Sequence, residues 1–311
     1  MIISASRRTD IPAFYSKWLL NRIRDGYVCV RNPINPRQVS KVSLSPELVD
    51  CIVFWTKNPK PMLKILNQLK EYNYYFQFTL TSYARDIEKN LPSKNESILD
   101  TFKSLSDTIG PERVIWRYDP ILINKTYSLD YHIKNFEKLS KKLGNYTKQC
   151  TISFIDLYRK ITNRLSLHSI AELDTETKLK LAENFALIAS AYGFKIKTCS
   201  ENIDLEKYGI KHASCIDREL IEKIIKAKIN VKKDKTQRSE CGCVESIDIG
   251  AYNTCLHACE YCYANFKDCI IQNKIRNYDE NSPMLCDKMS DKDTIIERKM
   301  KSILEAQSYL F

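Results

Sequence analysis

Three cysteines lie within eight residues of one another, from Cys255 to Cys262. They are spaced Cys-x3-Cys-x2-Cys, with Cys259 in the middle and Tyr261 and Tyr263 flanking the last. Thiolates are ligands for zinc and for iron–sulfur clusters, and a closed site of either kind takes four ligands. The spacing of this cysteine triad therefore predicts one metal centre whose fourth ligand comes from elsewhere.

The spacing and the tyrosines resemble the cluster loop of radical S-adenosylmethionine (SAM) enzymes. In those enzymes three cysteines hold three irons of a 4Fe–4S cluster and leave the fourth iron open for SAM. Two other interpretations use the same residues, a zinc loop completed by a distant Cys or His and a set of buried free thiols. If the triad binds a cluster, His257 is predicted to be an exposed loop residue rather than a ligand.

The chain has twelve cysteines, and nine of them lie from Cys199 to Cys286. A cytoplasmic protein keeps its thiols reduced, which argues against a disulfide framework, and the crowding favours metal binding. The other three lie in apolar runs, where a cysteine is usually a small core residue, namely Cys29, Cys51 and Cys150.

Four of the crowded cysteines are enough for a second closed site, either a second Fe–S cluster or a structural zinc. They are Cys199, Cys215, Cys241 and Cys243. Widely separated cysteines also occur by chance, so the sequence leaves this second site open. The remaining two, Cys269 and Cys286, have no partner spacing and are predicted to be structural.

The composition is that of a globular protein, with 43% hydrophobic and 28% charged residues among 311. No apolar run of about eighteen residues and no signal-like apolar segment is present, which predicts a cytoplasmic protein without a membrane partner. The net charge is +11, and a lysine-rich block covers 223–238. This block is interpreted either as a stripe that binds nucleic acid or as a solvated helix end and loop.

Six strand–helix repeats are predicted in the first 200 residues. Their strands are apolar runs at 2–6, 51–55, 74–81, 114–118, 150–155 and 195–199. Such an alternation predicts a parallel sheet, in either a full or partial TIM-type barrel or an open doubly wound arrangement. Polar residues after nearly every strand favour the barrel, because the carboxyl ends of barrel strands meet at the active site.

The polar strand ends supply the candidate catalytic residues. These are Arg7, Arg8, Asp10, Lys57, Arg117 and Asp119, and Glu201 follows the sixth strand. We expect the three arginines to bind anionic groups of SAM or substrate, because guanidinium matches carboxylate and phosphate geometry. The lysine and the aspartates are expected to be polar partners in the same mouth. Turn and capping roles are the alternative.

Four segments together resemble the bacterial family catalogued as domain of unknown function 1848. They are SASRRTDIPAF from Ser4, FWTKNP from Phe54, WRYDP from Trp116 and the stretch 237–265. That family is grouped with radical-SAM-like barrels, so the resemblance implies a partial (β/α)6 barrel. It also implies that Cys255, Cys259 and Cys262 ligate a SAM-binding 4Fe–4S cluster, with Tyr261 in the cofactor site.

One feature departs from most radical SAM enzymes, whose cysteine loop follows the first strand of the barrel. Here the triad comes after the sixth predicted strand, and no Gly-Gly-Glu segment is present. The arrangement is interpreted as permuted or supplied by an extension. We predict a barrel core at 1–200 and a cysteine-rich extension at 201–311, packed on the barrel mouth and ending in an amphipathic helix that Ser290–Asp293 caps.

The resemblance implies reductive cleavage of SAM to methionine and a 5′-deoxyadenosyl radical, with electrons from a donor such as flavodoxin or ferredoxin. DNA, a peptide, a tRNA base and a small metabolite all remain open as substrates. The alternative is a zinc- or Fe–S-containing nucleic-acid-binding protein without radical chemistry. A SAM-binding barrel with a structural cluster is a third hypothesis.

Overall fold

A parallel sheet of eight strands forms the centre of the computed structural model, which describes residues 1–305. In order across the sheet the strands are β10 (Ile247–Asp248), β1 (Ile2–Ala5), β4 (Cys51–Thr56), β5 (Tyr74–Thr79), β6 (Val114–Ile121), β7 (Gln149–Phe154), β8 (Lys195–Thr198) and β9 (Lys211–His212). The predicted α/β fold is confirmed, and all six predicted strands belong to this sheet. Residues 306–311 of the predicted extension lie outside the described residues.

Nine helices accompany the strands within 1–305. They are α1 (Ile11–Phe14), α2 (Ser16–Arg24), α3 (Lys60–Leu63), α4 (Leu99–Ile109), α5 (Leu129–Leu143), α6 (Thr162–Leu167), α7 (Thr175–Ala191), α8 (Arg218–Ile225) and α9 (Asp268–Ile275). Single 3₁₀ or π turns occur at Leu66–Leu69, Lys94–Ile98, Pro111–Arg113 and Glu206–Tyr208. None of the described helices has the length and apolar character needed to cross a bilayer.

The core lies between the sheet and the helices that pack on it. Strand β4 is buried at every position but Trp55, as expected of a parallel strand covered on both faces. Phe136 of α5 stacks between Trp116 and Phe185, at ring distances of 5.0 and 4.0 Å. Cys29, Cys51 and Cys150 are buried, which confirms the prediction that they are core residues.

A second sheet was not predicted. Strands β2 (Tyr27–Arg31) and β3 (Gln38–Ser43) form an antiparallel pair, and β11 (Thr294–Glu297) adds to β3 in parallel. The predicted C-terminal helix is therefore wrong. Asp293, its expected capping residue, instead accepts hydrogen bonds from the Arg31 guanidinium at 2.6 and 2.9 Å. The adjacent β-branched residues that follow suit a strand.

The pairing of β10 with β1 places the cysteine triad next to the first strand. Ile247 pairs with Ile3 and Asp248 with Ser4, and Gly250 follows. A Cβ atom at Gly250 would lie 2.1 Å from the Ser6 hydroxyl, so no other residue fits there without movement. Gly250 has no positive φ, so its backbone conformation does not require glycine. Its role is close approach of two chain segments.

Candidate functional site

The triad lies on a loop that is closed at its base. The Asn253 backbone N–H donates to the Ala264 carbonyl (3.0 Å), and Asn265 Nδ2 donates to the Cys255 carbonyl (2.7 Å). Cys259 is buried, while Cys255 and Cys262 are partly exposed. The chain therefore presents the three thiols from one compact loop.

This loop also packs on the segment that follows β5. The Glu260 N–H donates to the Ile87 carbonyl (2.9 Å), and the Asn90 N–H donates to the His257 carbonyl (3.2 Å). On the other side, Arg164 Nη2 of α6 donates to the Cys262 carbonyl (2.6 Å). Hydrogen bonds to the segment after β5 and to α6 thus fix the position of the loop.

Burial raises the pKa of all three triad thiols, to about 12 for Cys259, because desolvation disfavours the thiolate. Within residues 1–305, no three His, Cys, Asp or Glu side chains already surround one point as ligands of a single metal ion. A bound cation would reverse the balance, because coordinating thiols are deprotonated. The donor set is three sulfurs, which suits zinc or an iron–sulfur cluster.

A buried charge network lies beside the triad. Lys57 Nζ is 2.7 Å from Glu88 Oε1 and donates to the Tyr261 hydroxyl at 2.6 Å. Glu88 also accepts from Lys94 and from Tyr261. Burial alone would raise the pKa of Glu88, but the two lysines hold it well below its usual value. Glu88 and Lys94 belong to no recognisable motif, so the sequence alone does not identify them as site residues.

Asp10 joins three segments of the site. Its Oδ1 accepts from the Ala13 N–H and begins α1, while its Oδ2 accepts from the Lys57 N–H and from His257 Nε2, both at 2.7 Å. His257 is only 3% exposed and packs on the Phe14 ring, so the prediction of an exposed loop residue is wrong. The contact with His257 links the triad loop to the aspartate.

Two of the predicted arginines meet on one aromatic ring. The guanidinium carbons of Arg7 and Arg117 lie 5.4 and 5.3 Å from the centre of the Trp55 ring. Arg117 also pairs with Asp119. Burial alone would lower the pKa of Arg117, but Asp119 and nearby cysteines raise it well above its ordinary value. Both arginines are therefore charged, as expected of anion-binding groups.

Arg8 lies apart from this pair. Its Nε is 3.8 Å from Asp248 Oδ1, and its guanidinium lies 5.0 Å from the Tyr252 ring centre. The six candidate catalytic residues therefore occupy neighbouring but different places. Lys57 and Asp10 contact the triad loop, Arg7, Arg117 and Asp119 gather near Trp55, and Arg8 faces β10.

The four cysteines of the suggested second site come together from distant segments. The Cys199 and Cys215 sulfurs are 3.1 Å apart, and the Cys243 thiol interacts with those of Cys215 and Cys241. These thiol–thiol contacts lower the pKa of Cys199 and Cys243 and raise the pKa of Cys215 and Cys241. The spacing of these four cysteines in the sequence did not show whether their thiols meet.

Buried polar atoms without a hydrogen-bond partner concentrate around the site. Within the described chain they include Arg7 Nη2, Thr9 Oγ1, Arg164 Nε, His257 Nδ1 and Asn265 Oδ1. Folded proteins leave few such atoms unsatisfied, and those that remain call for an explanation such as a ligand. Three of these atoms, on Arg164, His257 and Asn265, lie on or against the triad loop, where a polar ligand would find partners.

A cavity of about 980 Å³ adjoins Glu88 and extends between α4 and α5. Six basic residues line it, namely Arg85, Lys94, Lys103, Lys138, Lys141 and Lys142, together with the aromatic residues Tyr83, Tyr131 and Tyr146.

By contrast, the lysine-rich block at 223–238 is partly neutralised, since Lys228 pairs with Glu222 and Arg238 with Asp156. This favours its interpretation as a solvated helix end and loop.

Comparison with known proteins identifies the family. A family model described as Domain of unknown function (DUF1848) matches residues 2–264, and the chain belongs to this family. The matched range includes the eight strands of the central sheet and both groups of cysteines. No curated protein and no solved structure matches the chain.

Glu88→Gln is expected to destabilise the protein by about 3 kcal/mol or more, because it leaves two lysines without their buried counter-charge. Urea unfolding measures the change. The matched control is Glu176→Gln, whose partner Lys180 lies on the exposed face of α7, and we expect no measurable effect there. Equal effects in the two variants would contradict the assigned role of the Glu88 network.

Glu201 supplies a pH-dependent prediction. It is buried after β8, where its Oε1 accepts from the Phe154 N–H (2.8 Å), and burial raises its pKa from 4.5 to about 7. The folded state then holds the proton more tightly than the unfolded state. The stability that this group contributes is present at low pH and is lost as pH rises from about 4.5 to about 7.

Glu201→Gln keeps an acceptor for the Phe154 N–H and has no charge to bury. We expect the variant to match the wild type near pH 4 and to exceed its free energy of unfolding by up to about 3 kcal/mol at pH 8. Denaturant titrations at the two pH values measure this difference. Parallel profiles for the two proteins would contradict the raised pKa.

Proposed function

We propose that this member of the DUF1848 family is a radical SAM enzyme whose 4Fe–4S cluster is held by Cys255, Cys259 and Cys262. The main observation in support of this proposal is the closed loop, which presents the three thiols near buried polar atoms that have no hydrogen-bond partner within residues 1–305. The three thiolates would ligate three irons of such a cluster, and the fourth iron would be left for a ligand that is not a cysteine. When bound, the cluster supplies the electron that cleaves SAM to methionine and a 5′-deoxyadenosyl radical.

The strand order across the sheet supports the proposal. The triad loop follows β10, which lies at the sheet edge beside β1, and the other strands then succeed one another in chain order. The strand that leads into the triad loop is thus the last of the eight in the chain and the first across the sheet, and a loop after the first strand is what the resemblance to radical SAM enzymes implies. We interpret the sheet as a permuted partial barrel of the radical-SAM type.

The protein's own residues would orient the cofactors and exclude water. Asp10, Lys57 and Glu88 fix the triad loop through His257 and Tyr261. Arg7, held on Trp55, would bind a carboxylate or phosphate of SAM or substrate. Arg117 already donates to Asp119 and to the Cys215 sulfur. The partial exposure of Cys255 and Cys262 would allow an electron donor such as flavodoxin or ferredoxin to approach.

Cys259→Ala is expected to abolish formation of 5′-deoxyadenosine from SAM, because one iron ligand is lost. The protein is reconstituted anaerobically with iron and sulfide, reduced with dithionite, and the product is measured by chromatography. Cys269→Ala, at an exposed position of α9, is the matched control and should behave as the wild type. Unchanged turnover in Cys259→Ala, or a colourless wild type with stoichiometric zinc, would rule the mechanism out.

The second candidate is a zinc- or Fe–S-containing nucleic-acid-binding protein without radical chemistry. The basic cavity between α4 and α5 favours it, because lysines bind phosphates and tyrosines provide faces on which bases stack. Lys138, Lys141 and Lys142 line this cavity and are exposed, so their charges are available to a ligand. The same cavity would serve an enzyme that acts on a nucleic acid.

The triple variant Lys138→Ala/Lys141→Ala/Lys142→Ala tests this cavity. Its affinity for a single-stranded oligonucleotide should fall at least tenfold, and its log–log salt slope should decrease by about 2, for three lost phosphate contacts. Fluorescence anisotropy measures both quantities. The control removes three lysines of the other block, Lys223, Lys232 and Lys235, and should bind as the wild type. Equal losses in both variants would contradict binding in the cavity.

A further inference from the structure

We propose that Cys199, Cys215, Cys241 and Cys243 form a second thiolate metal centre, separate from the triad. This inference goes beyond the proposed function and does not depend on it. Its ligand is a metal that prefers sulfur, either a zinc ion or an iron–sulfur cluster, since both are held by four cysteines.

The chain brings the four thiols together by specific packing of three segments. Cys199 follows β8, Cys215 precedes α8, and the Cys241–Cys243 turn precedes β10. The Ser214 hydroxyl donates to the Gly242 carbonyl (2.7 Å), and a Cβ atom at Gly242 would lie 2.6 Å from that hydroxyl. A glycine between the two cysteines therefore permits the close approach that a shared site needs.

Backbone contacts hold the thiols in register. The Ile216 N–H donates to the Cys243 sulfur (3.3 Å), and the Val244 N–H donates to the Ile216 carbonyl (3.2 Å). A backbone N–H directed at a cysteine sulfur stabilises the thiolate, which is the form that binds metal. The segments around Cys215 and Cys243 are thus joined by direct hydrogen bonds of the protein chain.

The distance between the Cys199 and Cys215 sulfurs fits coordination after a small movement. Zinc–sulfur bonds of about 2.3 Å in a tetrahedron separate neighbouring sulfurs by about 3.8 Å. The Cys199 and Cys215 sulfurs are 3.1 Å apart, so they need to separate by less than about 1 Å. The four thiols contact one another in series, and within residues 1–305 no three of them surround one point. A larger cluster would require a larger separation from the same loops.

The surrounding charge suits an anionic centre. Four thiolates carry two more negative charges than a divalent ion neutralises. Arg117 Nη1 donates to the Cys215 sulfur (2.8 Å), and the charge of Arg7 interacts with Cys243 and Cys215. Arg7 Nη2 is buried and has no hydrogen-bond partner within 1–305. The two guanidiniums are placed to balance the excess charge, as outer partners of metal ligands do.

The test uses the full chain with the triad removed, Cys255→Ala/Cys259→Ala/Cys262→Ala, prepared anaerobically with iron, sulfide and zinc. We expect this variant to retain either about one zinc or one iron–sulfur cluster per chain, measured by elemental and sulfide analysis. Adding Cys215→Ala should remove that metal, whereas adding Cys269→Ala should not. Circular dichroism confirms that each variant is folded.

A measurement on the wild type covers the case in which the variants fail to fold. X-ray absorption at the zinc edge should show a first shell of about four sulfurs if the centre is zinc. If it is a cluster, iron content should exceed that of one triad cluster. A folded triad variant without metal, or one that keeps its metal after Cys215→Ala, would overturn the proposal. A wild type with metal here and none at the triad would contradict only the proposed function.

Discussion

The pairing of β10 with β1 is the constraint on which the arrangement of the site depends. Asp248 of β10 accepts hydrogen bonds from the Ser4 and Ser6 hydroxyls (2.9 and 2.6 Å) and from the Arg7 N–H (2.9 Å). One partly buried carboxylate therefore fixes the loop after β1 against the segment that leads into the triad. Because Gly250 permits this close approach, residues far apart in the chain become neighbours at one edge of the sheet.

Two kinds of polar contact then complete the site. Lys57, Glu88 and Tyr261 form a buried network on one side of the triad, and Asp10 with His257 forms another. Buried charges of this kind are costly unless each is paired, so removal of one partner affects the others. Within residues 1–305, three buried polar atoms without partners lie on or against the triad loop, on Arg164, His257 and Asn265, which is consistent with a ligand there. The stability of the fold and the geometry of the candidate site thus involve the same side chains.

Short-range patterns predicted the parts of the structure that depend on local sequence. Apolar runs identified six strands of the central sheet, because a strand buried on both faces needs an unbroken apolar segment. Contacts between distant segments were not accessible in this way. The β11–β3 pairing joins residues more than 250 positions apart, and His257 is buried because Asp10 lies opposite it. For Cys199, Cys215, Cys241 and Cys243, spacing suggested a group, and only the fold shows the thiols in contact.

Electron paramagnetic resonance of the reduced protein, with and without SAM, tests the central claim most directly. The Cys215→Ala variant is suited to this measurement, since the triad is then the remaining cluster site. If the triad holds a 4Fe–4S cluster with one iron open to SAM, addition of SAM should change the spectrum of that cluster. A cluster spectrum that SAM leaves unchanged, or no cluster in the folded protein, would contradict the account.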